Sequence, residues 1–127
     1  MTYLCRCRTG MVINMTREFV YTRAFLNNWK NIGMDMDDLE RLEEMLLADP
    51  KIGDVIPGTG SARKVRFAYE GSGKSGSVRV IYVDFEIGEK ICALAAYAKS
   101  DKANLSSAEK NSIKTAIEVL DEIYNRR

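Results

Sequence analysis

Basic residues concentrate in one short stretch of the chain, between Ser61 and Arg79. The 127-residue sequence has a net charge of only +1, yet this stretch carries five basic residues against one acid. They are Arg63, Lys64, Arg66, Lys74 and Arg79. Arginine binds a phosphate through two parallel hydrogen bonds, and lysine contributes a compact positive charge. The stretch therefore indicates a surface that binds phosphate, although surface charge that serves only solubility stays open as an alternative.

These residue types suit the cleavage of an RNA phosphodiester bond. That reaction needs a base for the 2′-OH proton, cations for the charge that develops on the phosphate, and an acid for the leaving 5′-oxygen. A lysine among other cations has a lowered pKa, because the neighbouring charges disfavour its protonated form, and it can then act as the base. Tyr69, Tyr82 and Tyr97 lie near the cations in sequence. They could stack on unpaired bases, although strand tyrosines more often pack in the core.

Several other kinds of site are excluded or weakly supported by the composition. The chain has no histidine, which excludes Ser-His-Asp and Cys-His catalysis and histidine zinc sites. Its three cysteines, Cys5, Cys7 and Cys92, are odd in number, so we expect reduced thiols; a Cys-x-Cys metal half-site is a weaker alternative. The GSGKS run at 71–75 is not a nucleotide-binding loop, because Ala68 stands where that motif requires glycine. We expect neither a metal nor a cofactor.

The first half of the domain predicts one strand and two helices. A β-branched and aromatic run at 17–21 fits a strand. Apolar residues at helical spacing follow and end at Gly33, which predicts a helix. A second helix is predicted to begin after Asp35, a favourable N-cap, and to end before Pro50.

Acidic residues concentrate in that second helix. Between Asp35 and Asp49 there are seven acids and one base. We expect Glu40, Glu43 and Glu44 to face solvent, on the side of the helix opposite the leucines.

Three strands with short connections follow and predict an antiparallel meander. They begin near Arg63, near Val78 and at Lys90. Because side chains alternate across a strand, Lys64 and Arg66 should point to the same face of the sheet. The complete pattern of helices and strands indicates an α+β fold.

The length predicts one domain, which we place at residues 16–127. Ser106 and Glu109 have the spacing of a capping box and open its last helix. Residues 1–15 lack a clear period, and we expect a poorly ordered extension there. No run reaches the ~18 apolar residues that span a bilayer. We therefore expect a cytoplasmic protein without a membrane partner.

Three segments together carry a family resemblance. They are the stretch DPKIGDVIPGTGSARKVRFAYEGSGKSGSVRVIY at 49–82, a strand that ends in YAK, and the run LSSAEK at 105–110. The chain resembles the RelE/HigB toxins of bacterial type II toxin–antitoxin modules, and within them the HigB-like branch. The resemblance extends from about Phe19 to Tyr124. It implies two N-terminal helices packed on a twisted, mainly antiparallel four-stranded sheet, plus a C-terminal helix.

The resemblance also implies a function. It implies a ribosome-dependent endoribonuclease that cleaves mRNA at the ribosomal A site, and a cognate antitoxin, HigA-like with a helix-turn-helix. Carried over by motif, the catalytic residues are Lys64, Arg66, Arg79 and Lys99, with Tyr97 as the nearest aromatic. Further RNA or phosphate contacts are expected at Arg63, Lys74, Tyr82 and Lys102.

One role in this catalytic set has no assigned residue. The best-known RelE enzymes have an arginine just past the lysine at position 99 and a tyrosine in the C-terminal segment. In this chain Lys99 is followed by Ser100-Asp101 in place of that arginine. The corresponding part of the C-terminal segment has Leu105-Ser106 in place of that tyrosine, so no residue is assigned as the general acid. Two alternatives stay open: a non-catalytic, gyrase-binding toxin of the ParE type, and a catalytically impaired binder of RNA or the ribosome.

Overall fold

A mixed β-sheet with helices on both faces forms the protein. The computed structural model describes residues 3–9, 16–68, 77–99 and 104–125. Within them, six strands lie in the order β1-β2-β6-β5-β4-β3. The elements are β1 (Tyr3–Thr9), β2 (Thr16–Thr22), α1 (Arg23–Ile32), α2 (Met36–Ala48), β3 (Asp54–Val55), β4 (Arg63–Ala68), β5 (Ser77–Phe85), β6 (Lys90–Ala98) and α3 (Ser107–Tyr124).

The sheet has two more strands than the four that were expected. Tyr3–Thr9, within the expected poorly ordered extension, forms β1 and pairs antiparallel with β2 from Tyr3↔Thr22 to Thr9↔Thr16. At the opposite edge, the two-residue strand β3 pairs with β4. Neither strand has a periodic apolar pattern long enough to be read from sequence. The boundary between an extension and a domain at residue 16 stays a prediction.

The expected meander is confirmed, since β4, β5 and β6 pair antiparallel in sequence order. Strand β2 joins this meander by pairing parallel to β6, from Glu18↔Lys90 to Tyr21↔Ala93. The backbone amide of Glu18 also donates to the Glu89 carbonyl at 2.9 Å. The basic strand β4 therefore lies near one edge of the sheet, two strands away from β6.

The two N-terminal helices form where the sequence places them. Thr22 caps α1 through its side chain, and Gly33 ends the helix in the left-handed conformation with φ of 95°. Asp35 caps α2 in a capping box with Asp38. The expected solvent position of Glu43 is wrong, because this side chain is fully buried and accepts a hydrogen bond from the Tyr21 hydroxyl.

The sheet separates two apolar cores. One face packs against α1 and α2 around a chain of neighbouring aromatic rings, which comprises Phe19, Tyr21, Phe25, Trp29 and Phe67. The other face packs against α3 through the buried Ile117 and Leu120. The C-terminal helix thus covers the face of the sheet opposite to α1 and α2, an arrangement that the sequence left unspecified.

Both ends of α3 are fixed. Ser106 and Glu109 form the expected capping box at its beginning. At its end, the Gly88 amide donates to the Asn125 side chain at 3.2 Å, which ties the helix to the β5–β6 turn. Helix α3 is therefore held at both ends above part of one sheet face.

Among the described residues, none of the helices combines the length and the apolar character needed to cross a membrane.

Candidate RNA-binding face

A row of three side chains runs across β4, β5 and β6 on the face of the sheet that packs against α3. Arg66 in β4 is paired with Arg79 in β5, and Arg79 is paired with Tyr97 in β6. Directly paired residues point to the same face, with their Cβ atoms about 4.5–5.5 Å apart. Tyr97 belongs to the apolar cluster beneath α3, which fixes the face to which all three point.

Lys64 and Lys99 extend this row into a cationic cluster. Lys64 lies two residues before Arg66 in β4, so both side chains point to the same face. Lys99 directly follows β6, and its backbone amide donates to the Ser77 carbonyl at 3.3 Å. This contact continues the β5–β6 register and places Lys99 on the face of Arg79. We call Lys64, Arg66, Arg79 and Lys99 the basic cluster.

The two arginines of the basic cluster are held differently. Arg79 is half-buried, and its guanidinium donates to the Ser77 hydroxyl at 2.8 Å. Arg66 is exposed. Arg79 is therefore oriented in advance, as a phosphate clamp requires, whereas Arg66 presents a charge that can adapt to a ligand.

Tyr97 lies beside the basic cluster, but its side chain is only 7% exposed. Its ring is part of the apolar cluster that includes Ile117 and Leu120 of α3. A buried ring does not present a face on which a base could stack. The structure thus places Tyr97 in the row beside Arg79 and gives its ring a packing role, while a catalytic role for Tyr97 stays a prediction.

Arg63 and Tyr82 lie on the other face of the sheet, away from the basic cluster, and their expected RNA contacts stay a prediction. They are paired with each other in β4 and β5. Tyr82 is fully buried; its hydroxyl donates to the Pro50 carbonyl at 2.8 Å and accepts from the Gly53 amide at 3.0 Å. Burial raises the pKa of Tyr82. The Arg63 guanidinium donates to the carbonyls of Gly53 at 2.7 Å and Lys51 at 3.2 Å. Both side chains hold the loop after α2.

Three residues that were expected at the site lie outside the described part of the chain. They are Tyr69, Lys74 and Lys102. Their contribution to RNA binding stays a prediction.

A cleft of about 280 Å³ adjoins the basic cluster at Lys64. It lies between the start of α3 and the β3–β4 edge of the sheet. Its lining residues are Asp54, Val55, Ile56, Pro57, Lys64, Asn104, Leu105 and Lys110. The sequence analysis missed Asp54 and Lys110, because only the packing of α3 brings positions 54, 64 and 110 together.

The remaining titratable groups offer no metal site and no exposed thiol in the described residues. No group of three His, Cys, Asp or Glu side chains among them is placed to hold a metal ion. Cys92 is a free, buried thiol, and burial raises its pKa to about 12. The side chains of Cys5 and Cys7 lie outside the described residues. The charged groups of the basic cluster and of the cleft are amines, guanidiniums and the carboxylate of Asp54.

The basic cluster and the cleft lie in a part of the chain that matches a known protein family. The family described as the RelE toxin of the RelE/RelB toxin–antitoxin system matches residues 53–126. The chain belongs to the RelE toxin family. The match covers the sheet from β3 to β6 and all of α3, so it includes the basic cluster and the cleft. RelE toxins are the toxic partners of toxin–antitoxin pairs and are generally endoribonucleases that cut mRNA. Membership therefore implies a cognate antitoxin for this chain.

Proposed function

We propose that this RelE-family toxin is a HigB-like endoribonuclease that cleaves mRNA on the ribosome, and hence acts in the cytoplasm. The observation that carries the proposal is the basic cluster on one sheet face. Four cations point to that face, and two of them, Arg66 and Arg79, are direct cross-strand neighbours. Like charges that face each other across a sheet destabilise it, and a bound phosphate relieves that repulsion.

Each cation of the basic cluster has a distinct role in the proposed reaction. Lys64 takes the proton from the 2′-OH as that oxygen attacks the phosphorus, and the 5′-oxygen leaves to give a 2′,3′-cyclic phosphate. Arg79, held by Ser77, stabilises the charge on the phosphate oxygens in the transition state. Arg66 and Lys99 bind the flanking phosphates. The proton that the 5′-oxygen needs comes from a general acid that stays unassigned.

The proposal is tested by induction of the toxin in growing bacteria and by mapping of mRNA ends by primer extension. The wild-type protein should arrest growth and cut translated messages within the reading frame. Arg79→Ala should slow cleavage in a translation extract ~100- to 1,000-fold, the loss seen when one transition-state donor is removed. Lys64→Ala should lower the rate ~100- to 10,000-fold, as expected for a general base. Lys114→Ala, an exposed lysine in α3 outside the cleft and basic cluster, is the matched control.

Full cleavage by the Lys64→Ala/Arg79→Ala double variant would show that this cluster is not the catalytic site. Arrest of growth with intact mRNA and altered DNA supercoiling would instead support the gyrase-binding alternative. A gene for a small helix-turn-helix protein beside the toxin gene is expected if the antitoxin is HigA-like. Growth should recover when that protein is produced together with the toxin.

The burial of Tyr97 favours a second candidate function. With its ring packed under α3, the face lacks an exposed aromatic at that position. A binder of RNA or the ribosome that has lost cleavage needs only the basic cluster. It would bind ribosomes with an affinity that falls steeply as salt is added, because binding releases counterions from the phosphates. Co-sedimentation with ribosomes while the mRNA stays intact would identify this candidate.

A further inference from the structure

The proposed cleavage needs one more group, an acid that gives a proton to the leaving 5′-oxygen. Such a group must carry a proton at neutral pH, release it readily and be able to reach the phosphate. Arginine does not lose its proton in proteins, so Arg66 and Arg79 suit the binding of phosphate and not the transfer of a proton. Tyr97 is only 7% exposed. An amine is therefore the type of group that suits this role.

Lys110 places such an amine in the cleft that Lys64 also lines. Both lysines are half-buried. Among the described residues, no carboxylate forms an ion pair with Lys110. The Lys110 ammonium can therefore donate a hydrogen bond to a substrate in the cleft without first breaking an ion pair.

The beginning of α3 fixes the backbone at Lys110. The Ser106 hydroxyl accepts from the Glu109 amide at 3.1 Å, and the Ser106 amide donates to the Glu109 carboxylate at 2.9 Å. The Lys110 amide donates to the Ser106 carbonyl at 3.0 Å, which is the first hydrogen bond of the helix. The side chain of Lys110 thus starts from a rigid turn, as the alignment of a catalytic group with a reacting atom requires.

Lys64 and Lys110 extend into the cleft from two elements that pack on each other. Lys64 belongs to β4 and is paired with Ile81, a member of the apolar cluster under α3, whereas Lys110 belongs to α3 itself. In an in-line displacement the attacking and leaving oxygens lie on opposite sides of the phosphorus, so the base and the acid approach from different directions. A lysine of the sheet and a lysine of the facing helix meet this requirement.

Two other groups fit the role of the acid less well. Lys99 follows β6, two strands from β4, which separates it from Lys64 by ~10 Å through strand spacing alone. Asp54 is exposed and is paired with Lys64 across β3 and β4, so it lies on the side of the base. An ionised carboxylate also accepts hydrogen bonds only, and it has no proton to give.

We propose that Lys110 is the general acid of the RNA cleavage, an assignment that rests on the proposed nuclease function. The 2′-oxygen forms its bond to phosphorus while the bond from phosphorus to the 5′-oxygen breaks, and the electron pair of the broken bond goes to the 5′-oxygen. The Lys110 ammonium gives that oxygen a proton, so it leaves as a hydroxyl group. Lys64 holds the proton of the former 2′-OH, and proton exchange with water restores both amines.

The test compares two leaving groups at the bond that primer extension maps. Ribosomes are programmed with mRNA that carries at this bond either the normal 5′-oxygen or a bridging 5′-sulfur. A thiolate is a far more stable anion than an alkoxide, so the sulfur leaves without a proton from the protein. Lys110→Met should slow cleavage of the oxygen substrate ~100- to 10,000-fold, the loss expected for a general acid. The same variant should cut the sulfur substrate within about threefold of the wild-type rate, which also shows that it is folded.

Three control variants separate proton transfer from other effects. Lys64→Ala should slow cleavage of both substrates, because the 2′-OH needs a base with either leaving group. Lys114→Met removes an exposed lysine of α3 outside the cleft and should cut both substrates at the wild-type rate. Lys110→Arg keeps the positive charge but supplies a guanidinium, which does not lose its proton. It should cut the sulfur substrate and lose cleavage of the oxygen substrate.

Several outcomes would overturn the assignment. If Lys110→Met slows both substrates by the same factor, or if Lys110→Arg cuts the oxygen substrate at the wild-type rate, Lys110 acts through its charge and not as an acid. If Lys110→Met cuts the oxygen substrate at the wild-type rate, the assignment is wrong while the proposed nuclease function stands. If the wild-type protein cuts neither substrate, the nuclease function itself fails, and the assignment fails with it.

Discussion

Replacement of Arg66 by glutamine should make the protein more stable and less active. Arg66 and Arg79 are directly paired across β4 and β5, on a face where both guanidiniums lie among further cations. A like-charge pair in this position costs ~0.2–1 kcal/mol relative to a neutral pair. Arg66 is exposed, and the hydrogen bonds described for this face do not depend on it. Arg66→Gln should therefore raise the free energy of unfolding by about 0.5 kcal/mol.

The salt dependence gives this prediction its diagnostic value. The screening length is ~8 Å at 0.15 M salt and ~3 Å at 1 M, which is shorter than the separation of the paired side chains. The stabilisation by Arg66→Gln should be largest at low salt and disappear near ~1 M. Urea unfolding at several salt concentrations measures it, with fluorescence of Trp29 as the probe. Trp29 is the one tryptophan in the sequence and is buried in the core.

A double-mutant cycle separates the pair from other effects. With Arg79 already changed to glutamine, the stabilisation by Arg66→Gln should shrink, because the partner charge is gone. Lys114→Gln in α3 is the control for loss of one exposed charge. If Arg66→Gln lowers the free energy of unfolding by more than ~1 kcal/mol at every salt concentration, Arg66 stabilises the fold, and the basic cluster is not a set of charges that repel one another in the absence of a ligand.

Two further predictions concern side chains with structural roles. Tyr82→Phe removes the hydroxyl that joins Pro50 and Gly53, so it should lower the free energy of unfolding by ~1–3 kcal/mol. Its affinity for RNA should stay unchanged, and a clear loss in a filter-binding assay would place Tyr82 in the binding surface. Burial raises the pKa of the Cys92 thiol from 9.0 to about 12. The folded state therefore keeps this proton longer than the unfolded state, and the resulting stability is complete below about pH 9 and lost as the pH rises towards 12. Across that window the unfolding free energy of the wild-type protein should fall more steeply than that of Cys92→Ala, by up to ~1.4 kcal/mol per pH unit. Parallel slopes in urea unfolding would contradict it.

Local sequence signals placed most of the helices and strands correctly. The caps at Asp35 and Ser106 are present, because each depends on a side chain and the backbone within three residues of it. The stop at Gly33 is present because a left-handed backbone conformation is a local preference of glycine. Signals that need long-range pairing were missed. Strand β1 has no clear period, and β3 is only two residues long, so pairing with a neighbour decides whether each is a strand.

Burial of individual polar side chains also depended on packing between elements. Glu43 follows Leu39 by one helical turn, and the position of α2 against β2 turns it towards Tyr21. Its helical spacing from Leu39 and Leu46 places Glu43 on the apolar face, unlike the exposed Glu40, but only packing supplies the Tyr21 hydroxyl as its partner. In the same way, strand periodicity gives no information on whether the ring of Tyr97 is open to solvent. Packing within the apolar cluster on the α3 side of the sheet decides that.

The sequence by itself determined the kind of chemistry that this protein can do. It has no histidine, it gathers cations in one stretch, and the alternation of strand side chains puts Lys64 and Arg66 on one face, since that alternation is a property of the extended backbone. Only the tertiary structure decided which residues share the site. Strand register placed Arg79 opposite Arg66 and Tyr82 opposite Arg63. The packing of α3 then brought Lys110 to Asp54 and Lys64, because contacts between residues distant in sequence depend on how whole elements pack against one another.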